Sequence, residues 1–304
     1  MRTWATTAAF LSALLAVGVG NASAEVCSGI TATIVGTNGN DRIVGTFGRD
    51  VIVAKRGNDV ISSGASQDII CAGDGNDVAL AGRGPDRVSM RGGNDRAYGG
   101  RGPDRMFDGP GRDATYGGPG HDDVFDRRGN DTLQTGPGRD EVSDGAGSDV
   151  VSLGSGNDFA LDRRGDDRFS GGKGHDGIFL GRGGDDTFMG GSGTDRVEPD
   201  FFLDQGPISA DLELGTYVSQ VGGSDTVRSV EEVSGSDIAD DTLLGSLGAE
   251  ALIGEGGDDH IEGRGGDDFL VGGEGSSDFL DGGDGTDECF TGETVLNCEG
   301  PAPQ

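Results

Sequence analysis

The chain has 304 residues, of which 62 are glycine, 54 are Asp or Glu and only 23 are Lys or Arg, for a formal net charge of −31 at pH 7. So much glycine and acid is not the make-up of an ordinary globular domain. The charge argues against nucleic acid or any other polyanion as a partner, and it opposes a compact state unless cations neutralise the carboxylates.

In chain order, residues 1–24 read as a secretory signal peptide. Arg2 supplies the charge, Ala8 to Val19 the apolar run, and Ala22-Ser23-Ala24 a small-residue cleavage site. The run falls short of the ~20 apolar residues that span a bilayer and is broken by Gly18 and Gly20. A secreted, extracellular chain starting near Glu25 is expected, with a short N-terminal cap over residues 25–36 and no membrane span.

The next segment is periodic. An aspartate recurs every nine residues at Asp41, Asp50, Asp59, Asp68, Asp77, Asp86, Asp95, Asp104, Asp113, Asp122, Asp131, Asp140, Asp149, Asp158, Asp167, Asp176 and Asp185. Two residues before each stands glycine, with Ser66 the one exception. Two residues after stands a mostly small or branched apolar side chain, from Ile43, Ile52, Ile61 and Ile70 to Phe169 and Ile178, with Thr115 and Thr187 as polar exceptions. Self-similarity of this kind marks a stacked-repeat architecture. A second period, of 18, runs through it: Asp108, Asp126, Asp144 and Asp162 share one repeat position, Phe107, Phe125 and Phe179 lie beside them, and Tyr98 and Tyr116 make a further pair. Two nine-residue units per coil turn follow from that spacing.

Units such as Gly73-Asp74-Gly75-Asn76-Asp77, Gly82-Arg83-Gly84-Pro85-Asp86 and Gly172-Lys173-Gly174-His175-Asp176 resemble the G-G-x-G-x-D-x-U-x nonapeptide of RTX (haemolysin-type) calcium-binding proteins. The resemblance covers residues 37–197 and 237–288. It implies an all-β fold, a right-handed parallel β-roll (a β-helix solenoid) with two nonapeptides per turn, in two repeat blocks separated by a spacer. It also implies that multiple Ca²⁺ ions lie between stacked turns, held by the repeat aspartates and by backbone carbonyls. Asp41, Asp59, Asp77 and Asp95 then begin one column of ligands, and Asp50, Asp68, Asp86 and Asp104 the other.

The chemistry suits that implication. Calcium is a hard cation that takes six to eight oxygens, and glycines let turn carbonyls approach an ion closely. Strand spacing sets neighbouring carboxylates ~4.8 Å apart, where repulsion is ~0.9 kcal/mol in water and ~3.5 kcal/mol at an effective dielectric of 20. Nine aspartates in one column and eight in the other leave at most fifteen gaps. A divalent ion in each would nearly cancel the chain's charge. The chain is therefore expected to fold on binding calcium.

Asp195 closes the first block, which ends at residue 197, and residues 198–236 form a spacer or cap containing Phe201, Phe202, Leu212, Tyr217 and Val218. The second block, residues 237–288, carries Asp241, Asp259, Asp268, Asp278 and Asp287 as ligands, with Glu250 in one aspartate's place and Leu243, Leu252, Ile261, Leu270 and Leu280 facing inward. Residues 289–304 form a C-terminal cap. Four cysteines in a secreted chain favour disulfides. Of three possible pairings, the local one, Cys27 with Cys71 and Cys289 with Cys298, protects both ends of a solenoid; free thiols and intermolecular links are the alternative.

No catalytic activity is expected. There is no H-E-x-x-H and no G-x-S-x-G motif, and His121, His175 and His260 fall at variable repeat positions, facing solvent. Arg127-Arg128-Gly129 and Arg163-Arg164-Gly165 read as charge compensation on turns. The competing functional readings are a calcium-stiffened surface or adhesive protein and the repeat portion of an extracellular hydrolase. The family it resembles usually leaves by a C-terminal type I signal; the N-terminal segment here points to Sec-type export instead.

Overall fold

The computed structural model describes residues 25–181, 183–199, 206–220 and 223–299. Residues 1–24, where a signal peptide is expected, and Phe201 and Phe202 lie outside the described residues. Among the described residues the regular elements are all strands, arranged in two long sheets of sixteen and fourteen strands with a two-stranded N-terminal hairpin. No helix among them is long and apolar enough to cross a membrane.

The strands are short because each nine-residue unit spends half its length on a glycine turn. Successive units alternate between the sheets, so Ile43 pairs with Ile61 and Ile61 with Ala79 in the first, while Ile52 pairs with Ile70 and Ile70 with Val88 in the second. Partners in each parallel ladder are thus 18 residues apart, and two nonapeptides make one turn. Alternation within a strand sends the residue two after each aspartate inward, and Ile52, Ile61, Val88, Met106, Val124 and Leu133 are fully buried between the sheets. Their neighbours point out and stack along the roll axis: Tyr98 on Tyr116 at 4.8 Å, Phe107 on Phe125 at 5.1 Å. Phe179 meets Phe159 edge-on instead.

Glycine is required where consecutive turns touch. At Gly75, with φ of 145°, an added Cβ would run into the carbonyl oxygen of Gly57 one turn earlier. Ser66, the one departure from glycine at this repeat position, still holds φ at 89°, a conformation that costs a side-chain-bearing residue ~1–3 kcal/mol.

The structure corrects the last unit of the long period. One extra residue in the turn around Gly183-Gly184 shifts the register, so Phe188, not Thr187, packs against Phe169 in the core, and the aspartate before that strand is Asp186. Thr115, the other polar exception, is fully buried and donates to Asp108 Oδ2 at 3.0 Å.

The spacer does not interrupt the stack. Gly223–Arg228 pairs with Thr187–Ser192 in the first sheet, and Glu232–Ser234 joins Arg196–Pro199 to Ala251–Ile253 in the second. An antiparallel hairpin, Ser209–Asp211 and Thr216–Ser219, is inserted into the first sheet, burying Tyr217. Arg264 in the second block grips this hairpin by donating to both Asp211 oxygens, at 3.0 and 2.9 Å. Both ends are closed covalently: Cys27 bonds to Cys71 and Cys289 to Cys298, with Cα separations of 5.8 and 5.9 Å.

Two substitutions check the register and the strained turn. Phe188→Ala should cost the calcium-loaded protein ~3–5 kcal/mol in denaturant unfolding, against ~0.5 kcal/mol or less for Thr187→Ala. Ser66→Gly should raise the midpoint, by ~1 kcal/mol of relieved strain.

Candidate metal centres

Each repeat aspartate sits just before a strand, where the turn hands over to the ladder, and its backbone carbonyl accepts the first ladder bond: Val60 N–H donates to Asp41 O, Val78 N–H to Asp59 O. Its own N–H donates to Oδ1 of the aspartate one turn on. Asp41, Asp59, Asp77, Asp95, Asp113, Asp131, Asp149, Asp167 and Asp186 are linked this way in one column, at 2.5–2.7 Å. Asp50, Asp68, Asp86, Asp104, Asp122, Asp140, Asp158, Asp176 and Asp195 are linked in the other, at 2.8–2.9 Å.

Asp185 is not in the column. The register shift carries it to the exposed turn position beside Asp166, where its N–H donates to Asp166 Oδ1 at 3.2 Å and its side chain accepts from Ser224 N–H. The neighbouring Asp186, buried, takes the place assigned to Asp185 from the nine-residue count.

The columns reach one carboxylate into the spacer, and the first restarts at Asp241, whose Oδ1 accepts from Ile208 N–H at 2.6 Å. Asp186 N–H donates to Asp225 Oδ1 and Asp195 N–H to Glu231 Oε2, each at 2.9 Å. Beyond it Asp241, Asp259 and Asp278 extend the first column, while Glu250, Asp268 and Asp287 extend the second. Asp225 and Glu231 escaped the sequence reading because the nine-residue period is broken there; only strand pairing returns them to the columns.

The second carboxylate oxygen is the chemically informative one. Oδ2 of Asp59, Asp77, Asp95, Asp113, Asp131, Asp149 and Asp167, and of Asp68 through Asp195 in the other column, is buried and accepts no hydrogen bond. A buried acceptor without a donor is costly, and far more so when charged. Glycine stands where this oxygen points: Oδ2 of Asp104 lies against the position a Cβ of Gly99 would occupy. A file of unsatisfied, electron-rich oxygens against bare backbone carbonyls is a donor set for a hard cation.

A third set of acids lies inside the roll. Asp108, Asp126, Asp144 and Asp162 face inward from the second sheet, all buried. Oxygens of Asp126, Asp131 and Asp149 lie within 4.8 Å of one another, as do those of Asp144, Asp149 and Asp167, and of Asp162, Asp167 and Asp186. The sequence displayed the spacing of these four but not their direction. Their flag, visible afterwards, was an acid where neighbouring turns carry Ala54, Ala72 and Met90.

Burial first, and facing carboxylates second, drive the protonation equilibria upward. Asp77 is pushed up to about 6, and Asp95 and Asp149 to about 7, although backbone hydrogen bonds pull the other way. Inside the roll, burial and the neighbouring acids push Asp126 and Asp144 up to about 10.

The family description RTX calcium-binding nonapeptide repeat matches residues 33–61, 44–79, 91–124, 127–160, 164–197 and 244–277, well over half of the chain. The chain belongs to the RTX calcium-binding repeat family. No curated protein matches it significantly. RTX repeats bind calcium, and the orphaned oxygens of this RTX roll fit such an ion. The three histidines stand apart from these sites. Nδ1 of His121 accepts from Arg139 N–H at 2.8 Å and Nδ1 of His175 from Thr194 N–H at 2.9 Å, both exposed, while His260 stacks on Phe279 and pairs with Glu262.

A pH dependence of the metal-free RTX roll follows. Carboxyls whose folded pKa lies above the ordinary aspartate value of 3.8 bind more protons folded than unfolded, so stability is greatest below about 4 and falls as pH rises through 6 and 7. In chelator, far-UV circular dichroism should show more β-structure at pH 5 than at pH 8. In saturating calcium the order should reverse, because protons then compete with the metal.

Proposed function

We propose that this protein is an exported calcium-binding repeat protein that folds as its carboxylate columns take up Ca²⁺, and that it is a binding protein, not an enzyme. One observation carries the reading: from Asp59 to Asp167 in one column and from Asp68 to Asp195 in the other, each aspartate has one oxygen fixed by the preceding turn's N–H and the other buried with no donor. The residues that would hold the ions are Asp41 to Asp167 with Asp186 on one edge, Asp50 to Asp195 on the other, and Asp225, Asp241, Asp259, Asp268, Asp278 and Asp287 beyond. Bound calcium supplies two positive charges per gap. The chain's contribution is to stack the carboxylates, exclude water from their inner oxygens and present turn carbonyls.

Folding on binding is supported by the slender core. Each 18-residue turn places only a few apolar side chains between the sheets, among them alanines such as Ala79, Ala97 and Ala160. That burial has to offset the ordering of a whole turn and the repulsion between stacked charges. A ligand that binds only the folded form stabilises it by mass action. Export is supported by the signal-like residues 1–24 and by the two disulfides.

Far-UV circular dichroism of the purified mature chain in excess EGTA, then in millimolar calcium, tests the proposal. The expected outcome is loss of the β spectrum in chelator and its recovery with calcium. A β spectrum indifferent to EGTA would overturn it.

A further inference from the structure

We propose that Asp126, Asp144 and Asp162 each add a third carboxylate to a gap in the first column, creating three cation sites that are tighter than the two-carboxylate gaps elsewhere and fill before them. This builds on the calcium reading above.

The four inward aspartates occupy a core position. In the same row of the second sheet, earlier turns carry Ala54, Ala72 and Met90, and the turn after Asp162 carries Leu180, all buried. Packing therefore accepts an apolar side chain at this place and gives no reason for an acid. Four successive turns have one nonetheless.

The orientation of each carboxylate is fixed from the backbone. One oxygen of Asp126 accepts from Arg127 N–H, Asp144 Oδ1 accepts from Arg163 N–H at 3.0 Å, and Asp162 Oδ2 accepts from Gly181 N–H at 2.8 Å. The other oxygen, Oδ2 of Asp126 and Asp144 and Oδ1 of Asp162, accepts nothing. These three residues are only 7%, 0% and 1% exposed. A carboxylate oxygen of each lies within 4.8 Å of oxygens of two consecutive column aspartates, and Oδ2 of Asp131, Asp149 and Asp167 is likewise without a donor. No guanidinium compensates them: Arg127, Arg128, Arg163 and Arg164 make no ion pair among the described residues.

Asp108 is the built-in control. It stands in the same row, but its Oδ2 takes the Thr115 hydroxyl at 3.0 Å and it belongs to none of the three clusters. A row position alone therefore does not make a site; the convergence of three oxygens does.

Once a metal has displaced their protons, three carboxylates present a formal charge of −3 where other gaps present −2. Affinity for a hard cation rises with ligand charge, and burial limits screening by solvent. The ligand class is an oxygen-seeking divalent or trivalent ion, Ca²⁺ or a lanthanide. The turns from Asp126 to Asp186 become the part of the roll that orders at the lowest calcium.

The test is equilibrium dialysis of the full mature chain over a range of free Ca²⁺, comparing wild type, Asp108→Ala, and the triple variant Asp126→Ala, Asp144→Ala, Asp162→Ala. Wild type should retain three ions in a tight class before the remainder bind. The triple variant should lose that class, its three ions binding roughly tenfold more weakly or not at all, while the weaker ions and the calcium-loaded β spectrum remain. Asp108→Ala should keep the tight class. Alanine already fills this row at Ala54 and Ala72, so the fold should accept it; should the triple variant not fold, the three single variants, each removing one tight ion, give the same reading. Tb³⁺ in place of Ca²⁺ should heighten the difference. Many ions bound in a single class, or a tight class untouched by the triple variant, overturns this proposal and leaves the calcium reading standing. One or two ions bound in total by wild type overturns both.

Discussion

Each repeat aspartate is held in a conflict that the backbone alone cannot resolve. The ladder bond from its N–H to the next carboxylate aligns nine or more acids along each edge of the roll, about one strand spacing apart. From Asp59 to Asp167 and from Asp68 to Asp195 that alignment satisfies one oxygen of each carboxylate and strands the other in a buried position. The same geometry that specifies the fold therefore charges it against itself, and a cation between turns is the group that relieves both repulsion and the missing hydrogen bond.

Glycine serves this arrangement more than it serves flexibility. At Gly75 and its equivalents the previous turn's carbonyl lies where a side chain would begin, so turns stack closely enough for their oxygens to face one gap. Ser66 shows the conformation to be imposed by the stack, since it adopts a positive φ without being glycine. The hydrophobic interior is correspondingly thin, and stability shifts from apolar burial toward the edges.

The inserted hairpin shows how a solenoid tolerates foreign sequence. The second sheet runs on through Glu232–Ser234, so the roll keeps its axis while the first sheet accepts antiparallel strands. Asp225 and Glu231 extend the two columns by one carboxylate each into the insertion. The bidentate grip of Arg264 on Asp211 fastens the insertion to the turns that follow.

The nine-residue period by itself determined the class of fold, the two units per turn, the two edges of acids and the inward apolar row, because side-chain direction in a strand follows from parity and every copy repeats the same local physics. Composition and cysteine placement were also enough to make the end-sealing disulfide pairs the favoured ones. Tertiary structure alone decided the rest. A single extra residue near Gly183 moves the column from Asp185 to Asp186, and counting along the chain cannot tell which of two adjacent aspartates the turn absorbs; ladder hydrogen bonds can. Asp225 and Glu231 enter the columns only through strand pairing across an aperiodic segment. The meeting of Asp126, Asp144 and Asp162 with carboxylates of two successive turns is a property of the stack, since two oxygens of each cluster come from one coil and the third from the next, and they meet only when those coils lie one on another.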